Sequence, residues 1–336
     1  MSKFLQTYDY QDYLTLKETQ EAIKLLKDSF EEFLSSELSL TRVSAPLFVL
    51  AKSGLNDNLN GVETPVSFKI PDIANENAEI VHSLAKWKRM ALMEYNFNVG
   101  EGLYTDMNAV RKDEELDNIH SIYVDQWDWE LVIDKNERDV KKLKNIVKKI
   151  YNVFKKTEQL VITRFPKLLP QLPQDILFIT SQELEDMYPN TSSKQREDEI
   201  TKQYKAVFVM QVGKILKSGE KHDSRAPDYD DWELNGDMLF WSPILNRAFE
   251  ITSMGIRVDK ESLKKQLQIS KCEKMLKLDY HKKIINGELP YTIGGGIGQS
   301  RLCMYFLQKA HIGQVHASIW DEETLKTCKE KGIKLL

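Results

Sequence analysis

Two neighbouring stretches of the chain, residues 102–111 and 119–129, constrain the fold most, because both look like strands and only the polar loop KDEELDN separates them. Strands joined by such short loops pair as hairpins. Further strands are predicted at residues 176–179, 206–212 and 237–252. Because the helices stand apart from these strands, the pattern predicts an α+β fold built around an antiparallel sheet.

Helical segments lie before and between the predicted strands. Residues 16–38 place apolar side chains at helical spacing among many charges, which predicts a surface amphipathic helix. Two more helices are predicted at residues 86–95 and in the Lys-rich segment 137–165. Short extended stretches are expected at residues 41–49, 66–70 and 79–82. No repeat or linker divides the chain, so we expect a single domain over residues 1–336, with residues 1–40 as a helical segment packed on its core.

Charge and cysteine content limit the partners and the compartment. The chain has 47 basic and 51 acidic residues, a net charge of −4, so it lacks the positive field typical of nucleic-acid binders. Cys272, Cys303 and Cys328 form no CxxC pair, which indicates free thiols in a reducing compartment. The sequence shows no signal peptide, and no segment approaches the ~18 apolar residues of a membrane span. We expect a cytoplasmic protein with no nucleic-acid or membrane partner.

A glycine-rich segment near the C-terminus, residues 294–301, predicts a turn that runs into a helix. It is not a Walker A loop, and its spacing differs from the dinucleotide fingerprint. Its glycines would let the backbone approach a flat or anionic ligand closely, and Arg301 could stack on a base or reach a phosphate. A tight packing turn followed by a surface arginine would explain the same residues.

The segment DQWDWE, residues 125–130, alternates in polarity. In a strand these side chains divide between two faces, with Gln126, Asp128 and Glu130 on one and Asp125, Trp127 and Trp129 on the other. This alternation indicates a ligand-lined side opposite a side packed in the core. A plain amphipathic strand with a solvated acidic face is the alternative.

Four charged residues are candidates for binding phosphate, metal or carboxylate. Arg111, at the end of a predicted strand, suits bidentate contact with a phosphate, although a charged turn would look the same. Asp237 and Glu250 could together hold Mg²⁺ beside ATP phosphates, whereas as isolated acids they would lie on the surface. Arg257 follows a glycine bend and suits a carboxylate ligand.

Two more charged segments leave their function open. HSLAKWKR, residues 82–89, places positive charge at the start of a helix, which is unfavourable unless an anion binds there. APDYDDW, residues 226–232, is an acidic turn that could bind a cation or form an exposed loop. The sequence contains neither HExxH nor GxSxG, which disfavours zinc-peptidase and serine-hydrolase chemistry.

The order of these segments resembles the catalytic core of the class II aminoacyl-tRNA synthetases. TRVSAP, residues 41–46, resembles motif 1, whose proline lies at the dimer interface, and residues 111–114 and 294–301 resemble motifs 2 and 3. Six segments resemble the ammonia-dependent asparagine synthetases closely: HSLAKWKR, GEGLYTDM, VDQWDWE, HDSRAPDYDDW, FEITSMGIR and IGGGIGQSRL. The resemblance runs from about residue 42 to residue 320 and implies a single catalytic domain that forms a homodimer.

This resemblance implies ATP-dependent amidation of L-aspartate by ammonia. The β-carboxylate would attack the α-phosphate of Mg·ATP to give β-aspartyl-AMP and pyrophosphate, and ammonia would then displace AMP to give L-asparagine. Arg111, Arg301 and Lys88 are the implied catalytic residues, with Arg111 on the α-phosphate and Arg301 against adenine. The implied ATP-binding residues are Arg111, Glu114, Glu250, Gly296, Gly298 and Arg301. Asp237 and Glu250 are the implied Mg²⁺ ligands.

Aspartate is expected to bind end for end relative to its pose in aspartyl-tRNA synthetases, because those enzymes activate the α-carboxylate. Lys88 and Arg257 correspond to the lysine and arginine that recognise the side chain there, so here they are expected to bind the α-carboxylate. Asp57 and Asp128 are the candidates for holding the α-ammonium. Neutral hydrogen bonds are expected from Ser83, Gln126 and Ser253.

Three other functions compete with this one. An aminoacyl-tRNA synthetase or paralogue is the main alternative, although residues 1–40 are too few for an anticodon-binding barrel. A catalytically silent nucleotide-binding protein would have lost residues such as Arg111 or Asp237, which are present. A glutamine-dependent synthetase would need an N-terminal cysteine nucleophile, but position 2 is serine. Free ammonia is therefore the expected nitrogen donor.

Overall fold

The computed structural model describes residues 10–57 and 63–336, and its helices and strands surround one large sheet. In chain order the elements are α1 (Leu16–Leu38), β1 (Leu40–Arg42), β2 (Phe48–Leu50), β3 (Ser67–Ile70), β4 (Glu76–Ile80), α2 (Ala85–Glu94), β5 (Gly102–Val110), β6 (Tyr123–Val132), α3 (Val140–Arg164), β7 (Leu177–Thr180), α4 (Ser181–Met187), α5 (Ser193–Tyr204), β8 (Ala206–Met210), β9 (Asp230–Ser242), β10 (Arg247–Arg257), α6 (Lys260–Ile269), α7 (Asp279–Ile285), β11 (Thr292–Gly298), α8 (Gln299–Phe306) and α9 (Glu322–Glu330). The predicted residues 1–9 of the N-terminal segment lie outside the described residues.

The large sheet has the strand order β1-β5-β6-β11-β10-β9-β8-β7. The outer pairs β1–β5 and β7–β8 are parallel, and all the neighbours between them are antiparallel. The prediction of an α+β fold around an antiparallel sheet is thus confirmed. Although β11 comes last in the chain, it inserts between β6 and β10, which brings three separate sequence segments together at the centre.

Helix α1 begins and is buried for reasons visible in its sequence. The Thr15 hydroxyl accepts a hydrogen bond from the Glu18 amide, and the Glu18 carboxylate accepts one from the Thr15 amide, which completes a capping box. One stripe of the helix is buried: Ala22, Leu26, Phe30, Leu34 and Leu38. Phe30 stacks on Trp127 at 4.8 Å between ring centroids and also contacts Phe154. The helix therefore belongs to the same hydrophobic core as β6 and α3.

Three sequence predictions of strands and turns are wrong in detail. Residues 237–252 are not one strand but parts of the β9–β10 hairpin, whose turn lies at residues 243–246. Residues 41–49 contain two short strands, and Pro46 lies in the irregular segment between them. The glycine-rich turn predicted at residues 294–301 is strand β11 followed directly by α8.

A second, smaller sheet has the order β2-β4-β3 and carries exposed apolar side chains. Leu47, Phe48, Phe68 and Ile73 lie in or beside this sheet and are exposed, and the rings of Phe48 and Phe68 contact each other edge to face. Clustered exposed apolar side chains of this kind mark interaction surfaces. Within the described residues, no helix is both long and apolar enough to cross a membrane.

Replacing Phe30 by alanine tests whether α1 is part of the folding unit. Phe30 is fully buried between aromatic rings, so Phe30→Ala should lower the free energy of unfolding by about 3–5 kcal/mol in one cooperative transition. Phe33→Ala, on the same helix but only partly buried, is the control and should lose less. Urea unfolding followed by fluorescence measures both. A separate early transition for α1 would contradict a single domain.

Candidate active site

A cavity of about 430 Å³ opens where β6, β10 and β11 run side by side. Most of the residues singled out in the sequence line it: Asp57, Ser83, Lys88, Arg111, Glu114, Gln126, Asp128, Glu250, Ser253, Arg257, Gly296, Gly298 and Arg301. Asp237 does not line the cavity directly but is bonded to Arg225, which does. The fold therefore gathers residues from positions 57 to 301 around one space.

Strand β6 supplies one wall of the cavity through the alternation seen in its sequence. Gln126 and Asp128 line the cavity, whereas Trp127 and Trp129 are buried in the hydrophobic core on the opposite face. Glu130 shares the face of Asp128 but is completely buried. The ligand-lined interpretation of this strand agrees with the geometry, and a solvated acidic face does not.

A buried ionic cluster fills one end of the cavity. Lys88 donates to a carboxylate oxygen of Asp128 and, at 2.9 Å, to the carbonyl oxygen of Gly295. Arg257 donates to Glu130 through Nε at 2.9 Å and through Nη2 at 2.7 Å, and its Nη1 donates to Asp230. Every side chain of this cluster is at most 3% exposed, so water screens these charges little.

Burial and ion pairing have opposite effects on the pKa values of this cluster. Burial lowers the pKa of Lys88, although the charge of Asp128 opposes that shift. Burial also disfavours the charged Arg257, but the charges of Glu130 and Asp230 outweigh it and raise its pKa. For Glu130, burial is outweighed by the charge of Arg257, and the pKa falls below its usual range. The Arg257–Glu130 pair is therefore ionised at neutral pH.

The glycines of β11 make room for side chains of β6. A Cβ atom at Gly294 would lie 1.9 Å from Oε2 of Glu130, and one at Gly296 would lie 2.5 Å from Oε1 of Gln126. The expectation was that these glycines bend a turn toward a ligand. Instead they remain extended, and their missing side chains allow the cluster and the cavity wall to occupy the face of the neighbouring strand.

Two arginines occupy the other part of the cavity. Arg111 follows β5, donates from Nη2 to the His82 carbonyl oxygen at 3.2 Å, and has a buried Nε with no hydrogen-bond partner among the described residues. Arg301, in α8, donates to the Glu250 carbonyl oxygen at 3.2 Å, and its Nη1 lies 3.8 Å from Oε1 of Glu250. Both guanidinium groups are positioned by weak contacts and keep donors for an anionic ligand.

Asp237 and Glu250 lie on the adjacent antiparallel strands β9 and β10. Burial raises the pKa of Asp237 to about 6, with Arg225 opposing the shift and the charge of Glu250 adding to it. Two carboxylates that repel each other in this way are a fitting donor pair for a divalent cation, whose remaining ligands would come from phosphate oxygens and water. These residues therefore fit Mg²⁺.

The acidic turn and the basic helix start pair with each other, which the sequence did not predict. Asp228 accepts hydrogen bonds from Lys86 and from His281, each at 3.0 Å, and all three side chains are at most 2% exposed. The interpretation of the turn as an exposed loop is wrong. The anion expected at the start of α2 is a carboxylate of this chain, 142 residues away from Lys86.

Sequence reasoning placed Glu130 on the ligand-lined face of its strand but gave it no role, and it did not assign Arg225 or Asp230 to the site. Arg225 lies in the loop before β9 and pairs with Asp237 of β9, whereas Asp230 is the first residue of β9 and pairs with Arg257 at the end of β10. No local spacing signals such contacts.

Solved structures with the same architecture are class II aminoacyl-tRNA synthetases. Asparaginyl-tRNA synthetase from Pyrococcus horikoshii, complexed with asparaginyl-adenylate, superposes with a TM-score of 0.66 at 16% identity, covering 91% of this chain and 70% of that one. Asparaginyl-tRNA synthetase from Entamoeba histolytica gives 0.65 at 13% identity, covering 90% and 67%. At these identities the likeness defines the fold: a class II synthetase core.

Sequence comparison narrows this class to one family. Residues 17–332 match the family "Aspartate-ammonia ligase". Aspartate–ammonia ligase from Clostridium tetani is 62% identical over 98% of this chain and 96% of its own length, and that from Clostridium perfringens strain SM101 is 60% identical over the full length of both. The chain belongs to the aspartate–ammonia ligase family.

Asp228 offers a test of the buried pairing that holds the acidic turn. Burial opposes ionisation of Asp228, but Lys86 and His281 outweigh it and hold its pKa far below the usual range. Asp228→Asn should therefore cost about 3–5 kcal/mol of stability at pH 7, because Lys86 keeps its charge without its partner. Urea unfolding at several pH values measures this.

The pH dependence of that loss follows from the direction of the pKa shift. A lowered pKa contributes stability that is complete above the unfolded value of about 4 and declines as the pH falls below it. The difference between wild type and Asp228→Asn should thus shrink as the pH falls below 4. Asp279→Asn, at an exposed pair with Lys282, is the control and should change little. Equal effects of the two substitutions would contradict the pairing.

Proposed function

We propose that this protein is an AMP-forming aspartate–ammonia ligase that converts L-aspartate, ATP and ammonia into L-asparagine through β-aspartyl-AMP. The observation that carries the proposal is one cavity with a buried ionic cluster at one end and two incompletely bonded arginines at the other. Family membership supports the reaction and does not favour an aminoacyl-tRNA synthetase. We further propose a cytoplasmic location, since Cys272, Cys303 and Cys328 are free thiols.

The cluster has a place for the α-ammonium of aspartate. It contains two basic groups, Lys88 and Arg257, and three carboxyl groups, so with all five ionised it has one negative charge in excess. Oδ2 of Asp128 is buried and has no hydrogen-bond partner within the described residues. An ammonium group that donates to this oxygen would satisfy the acceptor and balance the charge. Asp57, whose carboxylate accepts from Ser83 at 3.0 Å, lines the same cavity and is the second candidate.

The α-carboxylate would bind beside this ammonium. Hydrogen bonds within the described part of the chain use three of the five N–H groups of Arg257, which leaves donors on Nη1 and Nη2. These donors and Lys88 suit a carboxylate, and their placement leaves the β-carboxylate to extend toward the arginines. Ser83, Gln126 and Ser253 line the cavity and would supply neutral hydrogen bonds.

Arg111 and Arg301 would bind the nucleotide at the other end. The unpartnered Nε of Arg111 suits the α-phosphate, where negative charge develops as the β-carboxylate attacks. Arg301 would stack on adenine and reach the terminal phosphates, with Gly296 and Gly298 beside it and Glu114 lining the ATP side. Asp237 and Glu250 would hold Mg²⁺, which when bound neutralises phosphate charge.

We propose that the second reactant, ammonia, enters as the free molecule. The leaving AMP would stay bound by Arg111 while ammonia attacks the β-carbonyl carbon of β-aspartyl-AMP. Because Lys88 and Arg257 would hold the other end of aspartate, the activated carbonyl has a fixed position during both steps.

The nucleotide product tests the proposed reaction. With aspartate, ammonium, ATP and Mg²⁺, the protein should release AMP and pyrophosphate in amounts equal to the asparagine formed, because the arginines address the α-phosphate. Chromatographic separation of the nucleotides and amino acids measures this. Omission of aspartate is the control, and added tRNA should change nothing. Stoichiometric ADP and phosphate would contradict the proposal.

Arg257 tests the end-for-end orientation of aspartate. Wild type should discriminate strongly against aspartate amidated at its α-carboxylate, since that compound lacks the group that Arg257 binds. Arg257→Ala removes a partner of a buried charge, which typically costs ~3–5 kcal/mol, so kcat/KM for aspartate should fall several hundred-fold. The KM for ATP should change far less.

The ratio of kcat/KM for aspartate to kcat/KM for its α-amide distinguishes an effect on substrate binding from damage to the fold. Arg257→Ala should show little preference for aspartate over its α-amide, whatever fraction of the protein is active. The milder Arg257→Lys keeps a positive charge and should show a preference between those of Arg257→Ala and wild type. A variant that keeps the full wild-type preference would exclude the proposed pose. Asp128→Asn should weaken aspartate binding without abolishing ATP binding.

We also propose a homodimer that forms through the small sheet. Leu47 and Phe48 directly follow the segment that resembles motif 1, and a two-fold interface over the small sheet would bury its exposed apolar residues. Light scattering at micromolar concentration should give a dimer for wild type and a monomer for Phe48→Asp. Leu169→Asp, at an exposed leucine far from this sheet in the sequence, is the control and should stay dimeric. A fully active wild-type monomer would remove the interface from the proposal.

A further inference from the structure

Arg225 is paired with Asp237, whose carboxylate is one of the two proposed metal ligands. Its Nη2 forms an ion pair with Asp237, and its Nη1 donates to the Ser253 hydroxyl. The Arg225 and Asp237 side chains are only 11% and 14% exposed, so this pair is largely shielded from water. The Nε of Arg225 is buried and has no hydrogen-bond partner among the described residues. Arg225 is therefore bound to the metal-facing carboxylate while keeping an unused donor.

A guanidinium and a divalent cation cannot share Asp237 favourably. Both are positive, and at contact distance their repulsion in a poorly screened site is large. Without Arg225, Asp237 and Glu250 would instead repel each other across neighbouring strands. Arg225 thus supplies the neutralising charge that a divalent cation would supply in the complex with ATP.

Close contacts hold the backbone around Arg225. Arg225 lies in the loop between β8 and β9, residues 211–229. Gly213 packs so closely that an added Cβ would lie 2.8 Å from the Cβ of Arg225, and the Trp232 indole donates to the Ala226 carbonyl oxygen at 3.3 Å. An exchange at Asp237 would therefore move the guanidinium within the cavity and leave the loop in place.

We propose that Arg225 is an exchangeable internal cation: it holds Asp237 before the nucleotide binds, the divalent metal that accompanies ATP displaces it, and its guanidinium then binds the phosphates. This inference rests on the proposed function, because it assumes the metal site at Asp237 and Glu250. It makes Arg225 a competitor of the metal and also a helper of the nucleotide. Its removal should therefore change two measurements in opposite directions.

The first measurement is the affinity of the protein without nucleotide for Mn²⁺, a spectroscopically visible replacement for Mg²⁺. The free Mn²⁺ signal in electron paramagnetic resonance gives the dissociation constant for the full chain. Arg225→Met keeps the aliphatic part of the side chain and removes the charge, so it should bind Mn²⁺ at least tenfold more tightly than wild type. Arg225→Gln is a second neutral variant in case the first folds poorly.

Two further variants serve as matched controls. Arg225→Lys keeps a positive charge and should bind Mn²⁺ with nearly the wild-type affinity. Lys214→Ala removes one positive charge from the same loop, where Lys214 pairs with Glu233 at the surface, and should leave Mn²⁺ affinity unchanged.

The second measurement is the aspartate-dependent exchange of pyrophosphate into ATP, which reports activation alone. Arg225→Met should slow this exchange at least tenfold at saturating Mg²⁺, because the phosphates lose a donor, and Arg225→Lys should slow it less. Tighter Mn²⁺ binding with slower exchange supports the proposal. Neutral variants that bind Mn²⁺ no more tightly than wild type would overturn it.

Adding Asp237→Asn and Glu250→Gln to Arg225→Met shows which of the two proposals, the metal site or the displacement of Arg225, a negative result contradicts. If these two changes abolish Mn²⁺ binding even though Arg225→Met alone did not increase the affinity for Mn²⁺, Asp237 and Glu250 do form the metal site, and only the proposed displacement of Arg225 by the metal is wrong. If Mn²⁺ still binds after both changes, Asp237 and Glu250 are not the metal site, and the proposed displacement of Arg225 is wrong as well. The two proposals can therefore fail separately.

Discussion

The buried ion pair between Arg257 and Glu130 is the interaction on which the site depends. It joins β10 to β6 across β11, and Asp230 and Lys88 extend it to β9 and α2. Removing such charges from water costs more than packing apolar side chains of the same volume would. A chain selected for stability alone would gain by replacing the cluster. Its presence beside the cavity agrees with the proposed ligand, an amino acid with charges of both signs.

Strand β11 is the structural condition for this ion pair. It lies between the two strands that carry Glu130 and Arg257, and an ordinary residue at Gly294 would collide with the Glu130 carboxylate. Glycine in a strand interior costs stability because it fixes a flexible backbone and packs no side chain. Charged side chains can therefore lie over this central strand only because residues 294–296 are glycines. This constraint explains the glycine-rich segment, residues 294–301, which the sequence had suggested to be a ligand-binding turn.

The features that could be predicted from the sequence are those set by residues close together in the chain. Helix α1 and the two faces of β6 follow from side-chain periodicity, and both were predicted correctly. The β9–β10 hairpin was missed although its turn contains Pro243 and Asn246, because the apolar residues on both sides of these two continue the pattern of a strand. Strand β11 was missed because glycine carries no periodicity. Asp228 was misjudged because its partner Lys86 lies 142 residues away, and no spacing encodes such a pair.

The arrangement also explains how one fold can serve different reactions. The likeness to the tRNA synthetases, at 13–17% identity, is a likeness of fold, whereas the residues around the cavity come from many separate segments of this chain. A sheet fixes positions along strands but not the identity of the side chains that project from them. The proposed end-for-end binding of aspartate would therefore require only that charges such as those of Asp128 and Arg257 face the right end of the cavity. The backbone that carries them can stay the same.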